Sequence, residues 1–394
     1  MTRVIGTQVR GIRAPIIRQG DNLVEIVADL IVKASEQEGF ALHDRDVVGI
    51  TESIVARAQG NYVTLDEVAE DANEKFNGDT IGVVFPILSR NRFALILKAL
   101  VQTQKNIVLL LSYPCDEVGN HLMDVVKLDE LEINPYRDVL TEEQYRKLFG
   151  SQPHPFTGID YVDMYKKLAE DGKITILLGN DPREILKYTD EILVANVHLR
   201  KRTKQQLLRA GAKVVYGLDD LCTKPRKSGG YNPEYGLLGS NKASEDTLKL
   251  FPRDGQQYVE GIQKRLKDLT GKTIEVLIYG DGAYKDPIAK IWELADPVVS
   301  PAYTAGLSGT PNELKFKYIA DNQLKELSHD DAVAVLKDSI RNKASQAGSE
   351  LTEGTTPRRI PDLLGSLCDL TSGSGDKGTP IVLVQGYFDD YATE

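Results

Sequence analysis

GLLGSNKASEDTLKLFPRDGQQYVEGIQKRLKDLTGKTIEVLIYGDGAY, residues 236–284, runs from a polar loop through a helix and a short apolar strand to an aspartate set between glycines. The loop, 236–254, holds Lys242, Glu245, Asp246 and Arg253, so a metal-ligating carboxylate and a phosphate-neutralising cation can share one segment. The same composition also suits a solvated surface loop capped by Ser244 and Asp246. QQYVEGIQKRLKDLTG keeps apolar residues on one helical face, and TIEVLIYG is too short and too uniformly apolar for anything but a buried strand. Asp281 follows that strand directly, between Gly280 and Gly282. The carboxyl end of a strand is where open α/β sheets place their ligands, and flanking glycines let a ligand approach the backbone. On the residues alone, an Asp-Gly turn accounts for it equally well.

Working outward, the C-terminal part adds helix DDAVAVLKDSIRNKAS, a helix near 360–370 and strand TPIVLVQGYF. At the N-terminal end, Leu23, Ile26, Val27, Leu30, Ile31 and Ala34 repeat with helical spacing between the candidate caps Asp21 and Asn22 and the stop Gly39. DVVGIT, TIGVVF and NIVLLLS read as buried strands, with a helix at 92–104. The proline-punctuated segment after Tyr113 breaks this rhythm, and ITILLG, PREILKY, EILVAN, LRKRTKQQLLRAG and KVVYGL then form a parallel βαβαβ series. The expected architecture is α+β: a mixed β-sheet core from residues 1–112 and 231–394, with an inserted α/β subdomain at 113–230.

Composition limits the function. The 48 lysines and arginines against 58 aspartates and glutamates give a net charge of −10, the wrong sign for a protein that coats nucleic acid or an anionic membrane. No apolar run reaches membrane-spanning length, and Cys115, Cys222 and Cys368 form neither a disulfide framework nor a zinc knuckle, so a reducing cytoplasm is expected. P-loop, HExxH, GxSxG and paired CxxC patterns are absent. Gly373, Gly375 and Gly378 spell GxGxxG, but the string follows a helix and feeds a strand, the reverse of a dinucleotide fingerprint, and reads as a turn. The five histidines stand singly, which leaves carboxylates as the metal ligands, and the basic run Arg200, Lys201, Arg202, Lys204, Arg209 reads as a wet helix face.

Three segments together resemble the coenzyme F-420-0:γ-glutamyl ligase family: RAPIIRQGDNLVEIV with DRDVVGITESIVARAQGNYV, then GLLGSNKASEDTLKLFPRD with IEVLIYGDGAY, and finally GTPIVLVQGYF. The resemblance covers about 1–110 and 230–394. It implies an enzyme that uses GTP and Mn²⁺ or Mg²⁺ to join L-glutamate to a carboxylate-bearing small-molecule acceptor of deazaflavin or pterin type, as a homodimer. Carried onto this chain, it implies Glu245 and Asp281 as metal ligands and Asn241 as the asparagine of the family's "ANAG". Arg57 takes the second lysine of "TSKIVSK", and with Lys242, Arg253 and Lys285 would neutralise phosphate. The chain departs from the pattern at Ser53, at Gln19 and around Lys285. These departures and the extra subdomain keep open a second expectation, a non-catalytic nucleotide- or partner-binding protein on the same fold. A nicotinamide or flavin oxidoreductase lacks the glycine fingerprint after ITILLG.

Overall fold

Short apolar runs become strands and the 3.6-residue repeats become helices in the computed structural model, which describes residues 4–154, 158–169, 172–280, 298–346, 352, 358–372 and 375–393. The chain begins with β1 (Gln8–Ile12), α1 (Leu23–Glu38), β2 (Val47–Thr51), α2 (Glu52–Gln59), β3 (Tyr62–Thr64), α3 (Leu65–Lys75), β4 (Thr80–Val84), α4 (Phe93–Gln102) and β5 (Asn106–Leu111). Next come α5 (Val125–Glu130), β6 (Leu140–Thr141), α6 (Glu142–Phe149), α7 (Tyr161–Lys166), β7 (Ile174–Leu178), β8 (Glu191–Val194), α8 (Arg200–Arg209) and β9 (Val214–Gly217), PREILKY being a 3₁₀ turn. It ends with β10 (Asn241–Lys242), β11 (Thr247–Lys249), α9 (Gly255–Thr270), β12 (Glu275–Gly280), β13 (Val299–Tyr303), α10 (Phe316–Asn322), α11 (His329–Arg341), α12 (Ile360–Ser372) and β14 (Ile381–Gln385).

Local chemistry fixes the ends. Asn22 caps α1 by accepting from the Glu25 amide, and Gly39 closes it at φ 67°. Thr64 and Glu67 make a reciprocal capping box at α3.

The described residues divide into two compact units, one of 4–58, 254–280 and 298–393, the other of 59–253. The first holds a five-stranded mixed sheet ordered β1-β14-β2-β12-β13, in which β2 and β12 run parallel. Val27 and Ile31 of α1 and Ile262 and Leu266 of α9 bury one face against Val48, Val276 and Leu383. Leu364 and Cys368 of α12 cover Val47, Leu277 and Val382 on the other. A Cβ on Gly49 would stand 2.5 Å from the Cys368 Sγ, so this close helix–sheet approach requires glycine.

The second unit carries a six-stranded sheet ordered β6-β7-β5-β4-β8-β9, parallel except for the edge strand β6, and a three-stranded sheet β10-β11-β3. Counted along the chain, its five parallel strands lie in the order 3-2-1-4-5, a doubly wound sheet whose direction of winding reverses between β4 and β8.

This corrects the expected subdomain boundaries at 113 and 230. β4 and β5 precede residue 113, yet they are the middle strands of the sheet that the βαβαβ series completes, with β7 on the free side of β5 and β8 on the free side of β4. Strands buried on both faces pair with whatever parallel edge is at hand, and sequence order does not reveal which. The α+β class stands. No helix among the described residues is long and apolar enough to cross a membrane, and all three cysteines are free, Cys222 and Cys368 buried.

Candidate functional site

Residues 236–253 of this segment belong to the 59–253 unit, where β10 and β11 pair antiparallel, Asn241 opposite Lys249, and β11 adds to β3. The connecting turn closes as the Ala243 and Ser244 amides donate to the Thr247 carbonyl at 3.0 and 3.2 Å. Glu245 stands at the tip with its side chain 80% exposed, paired with Lys242. Its neighbour Asp246 meets Lys98 Nζ of α4 at 3.0 Å, and the same ammonium donates to the Glu245 carbonyl at 3.1 Å. Asn241 turns its Oδ1 back to the Lys242 amide at 2.8 Å. Exposed ion pairs of this kind hold a side chain by roughly 0–1 kcal/mol, so both carboxylates exchange partners at little cost.

Arg253, at the other end of the segment, is held differently. Its Nη1 donates to Asn61 Oδ1 at 2.6 Å, and its guanidinium lies 4.5 Å from the centre of the Tyr231 ring. Gln59 closes the clamp from both sides, accepting from the Arg253 amide at 3.1 Å and donating to its carbonyl at 2.5 Å. Asn61 is fully buried; its Oδ1 also accepts from the Tyr231 amide at 3.0 Å and its Nδ2 donates to the Phe251 carbonyl at 2.8 Å. Asn232 donates to that same carbonyl at 3.0 Å. Gly230 permits the crossing, since a Cβ there would lie 1.9 Å from the Tyr62 carbonyl oxygen. The sequence reading missed Asn61, Tyr231 and Asn232; the one signal available was the Gly60-Asn61 turn pair, which marks a bend and not its partners.

Asn241, Lys242 and Glu245 thus share one hairpin, with Arg253 fixed at the far end of the same segment. Arg57 lies in the other unit, exposed on α2, its Nε donating to the Ile17 carbonyl at 3.2 Å. Asp281 and Lys285 lie outside the described residues. Among the described residues no three histidine, cysteine or carboxylate side chains gather as a metal site. Glu245 and Asp246 are instead each matched by a lysine.

The chain matches the family model described as F420-0:Gamma-glutamyl ligase over residues 11–386. It belongs to the F420-0:gamma-glutamyl ligase family. The match begins inside β1 and ends one residue past β14, so both compact units lie within it. No curated protein matches the chain. Membership identifies an enzyme, a ligase of the γ-glutamyl class acting on glutamate and a small-molecule acceptor. For a ligase of this family, the hairpin and the clamped arginine are the described parts of the candidate site.

Proposed function

We propose that this family member is a GTP- and divalent-cation-dependent ligase that adds L-glutamate to a carboxylate-bearing acceptor of the F-420-0 deazaflavin or related pterin type. The observation that carries the reading is the family match along nearly the whole chain, with the 236–254 segment displaying Lys242 and Glu245 on an exposed hairpin. The acceptor carboxylate takes the γ-phosphoryl group of GTP, releasing GDP; the glutamate amine attacks the acyl phosphate, an amide forms and phosphate leaves. Charge builds on phosphoryl oxygens in the first step and on the departing phosphate in the second, and cations already in place lower both barriers. Lys242, Arg253, Arg57 and Lys285 would carry that role, with Asn241 as a neutral hydrogen-bond partner.

Glu245 is the described half of the proposed metal pair. It offers a hard carboxylate oxygen, exposed and tethered by a weak ion pair with Lys242, and Asp281 would be the second ligand. Mn²⁺ or Mg²⁺ bound there would neutralise triphosphate charge. Homodimer assembly and a cytoplasmic setting belong to the same proposal.

Purified protein incubated with GTP, glutamate, Mn²⁺ and an F-420-0 or pterin acceptor should give GDP and a glutamylated product mass in equal amounts. Hydrolysis or coupling absent for every acceptor would sink the reading. Mn²⁺ with GTP should also raise the melting temperature by mass action, and Glu245→Gln and Asp281→Asn should each remove most of that rise while leaving metal-free stability intact. One observation favours the non-catalytic alternative: each hairpin carboxylate already has a lysine partner. Nucleotide affinity without turnover would support it.

A further inference from the structure

The doubly wound sheet of the 59–253 unit has a recess of about 270 Å³ where its winding reverses, at the carboxyl ends of β4 and β8. Phe85, directly after β4, lines it, and so do Asn196, after β8, Leu199, just before α8, and Arg202, Thr203 and Gln206 of α8. The Ala195 amide donates to the Val84 carbonyl at 2.9 Å, which holds the two strand ends together beneath it. In sheets of this order the reversal point is where ligands bind, because the crossovers leave it to opposite sides and open a crevice.

Two groups in the recess lack partners. Asn196 is 4% exposed; its Nδ2 donates to Thr203 Oγ1 at 3.2 Å, but its Oδ1, buried, accepts from no donor among the described residues. A buried amide oxygen left without a donor is destabilising, and a ligand donor would supply the missing bond. Arg202 is an exposed guanidinium with no ion pair or hydrogen bond among the described residues. Of the neighbouring cations, Arg200 pairs with Asp219 at 2.8 Å, Lys204 with Asp219 at 3.4 Å, and Arg183, also in the lining, with Asp181 at 2.5 Å. The basic run of α8 is therefore not a uniform wet face: Arg200 and Lys204 are paired, and Arg202 is the member of the run that lines the recess together with Asn196. Phe85 reaches the recess at φ 56°, a backbone region a bulky aromatic rarely adopts.

We infer that this recess binds a free α-amino acid, its ammonium donating to Asn196 Oδ1 and its carboxylate meeting Arg202. The acceptor and the cation call for a donor and an anion on one small molecule, which the zwitterion supplies. The volume is below the roughly 300–1,000 Å³ of sites for larger ligands. The loop after β4 reads FPILSRNR with no glycine, so no pyrophosphate can approach the backbone there as in a dinucleotide site. The assignment uses only residues of the 59–253 unit and is independent of the ligase site.

Isothermal titration of the full-length, nucleotide-free protein with each proteinogenic amino acid in turn, and with inorganic phosphate, tests it. At least one amino acid should bind. Arg202→Ala should weaken that binding roughly 10- to 100-fold, the worth of one charge-assisted hydrogen bond. Asn196→Leu, similar in size and lacking the orphaned oxygen, should weaken it comparably, and if that variant fails to fold, the exposed Arg202→Ala decides alone. The inference falls if no amino acid binds, if binding survives Arg202→Ala, or if phosphate binds and no amino acid does. Binding that survives Arg202→Ala would belong to another site, the proposed ligase site included, and would leave the ligase reading standing.

Discussion

The five-stranded and six-stranded sheets are assembled from opposite kinds of sequence neighbourhood. In the 59–253 unit the parallel strands follow one another along the chain, and every crossover between them stays within the unit. In the other unit β1 pairs with β14, Gln8 opposite Gln385, so the first strand is zipped to the last. Closing that loop costs little more than closing a shorter one, because the entropy grows only with the logarithm of length, but the sheet forms only when both chain ends are present. The difference can be broken experimentally. Truncation after Gly378 removes β14, which lies between β1 and β2 and hydrogen-bonds both. Amide protection of β1 by hydrogen exchange should vanish, whereas β5 and β7, whose partners all lie within 59–253, should keep theirs. Collapse of β5 and β7 protection as well would show that the units are not separately stable.

A smaller contrast lies within the 59–253 unit, between the buried clamp on Arg253 and the exposed hairpin at Glu245. Asn61→Ala strips the Tyr231 amide and the Arg253 guanidinium of an acceptor at a fully buried position, which should cost roughly 2–4 kcal/mol, read from the denaturant midpoint at unchanged slope. Lys242→Ala removes only an exposed pair and should cost under about 1 kcal/mol. If the two cost the same, the clamp is no more structural than the hairpin.

How far each region could be read in advance follows from the same contrast. Helix α1 with its Asn22 and Gly39 ends, the strands of the βαβαβ series and the strand before Asp281 were legible because their signals are local. β13 was not: Pro301 argues against a strand, and it is tolerated here because β13 sits at the sheet edge. β1, with charged Arg10 and Gly11, has no pattern until β14 lies beside it. The subdomain boundary was misplaced because nothing in NIVLLLS states that its neighbours in space are β4 and β7. Within the site, residue types pointed to Lys242, Glu245 and Arg253, while Asn61 and Tyr231 act through tertiary contacts that no spacing encodes.

The units also differ in how they treat a buried carboxylate, which gives the prediction of smallest effect. In the 59–253 unit, burial would raise Asp160, but the Arg146 guanidinium, bonded at 2.6 and 3.0 Å, and the Asp163 and Gln152 amides outweigh it and hold the acid at about 2. In the other unit, burial of Asp46 wins over its bonds from the His43 amide at 2.8 Å and the Gln385 side chain at 2.7 Å, and the acid is pushed above its ordinary 3.8. The signs follow by linkage. Asp160, depressed on folding, contributes stability above 3.8 that is lost as pH falls toward about 2. Asp46, raised on folding, contributes below 3.8 and loses that contribution as pH rises through its folded value, so at neutral pH its charge is a net cost. Asp160→Asn should therefore lower stability at pH 7 by about 2 kcal/mol, with the deficit closing in acid. Asp46→Asn, which keeps an acceptor oxygen, should leave stability at pH 7 unchanged or higher, with any gain disappearing below 3.8. Denaturant titrations of both variants from pH 7 to pH 3 read the two slopes directly, and slopes of the same sign would overturn the contrast.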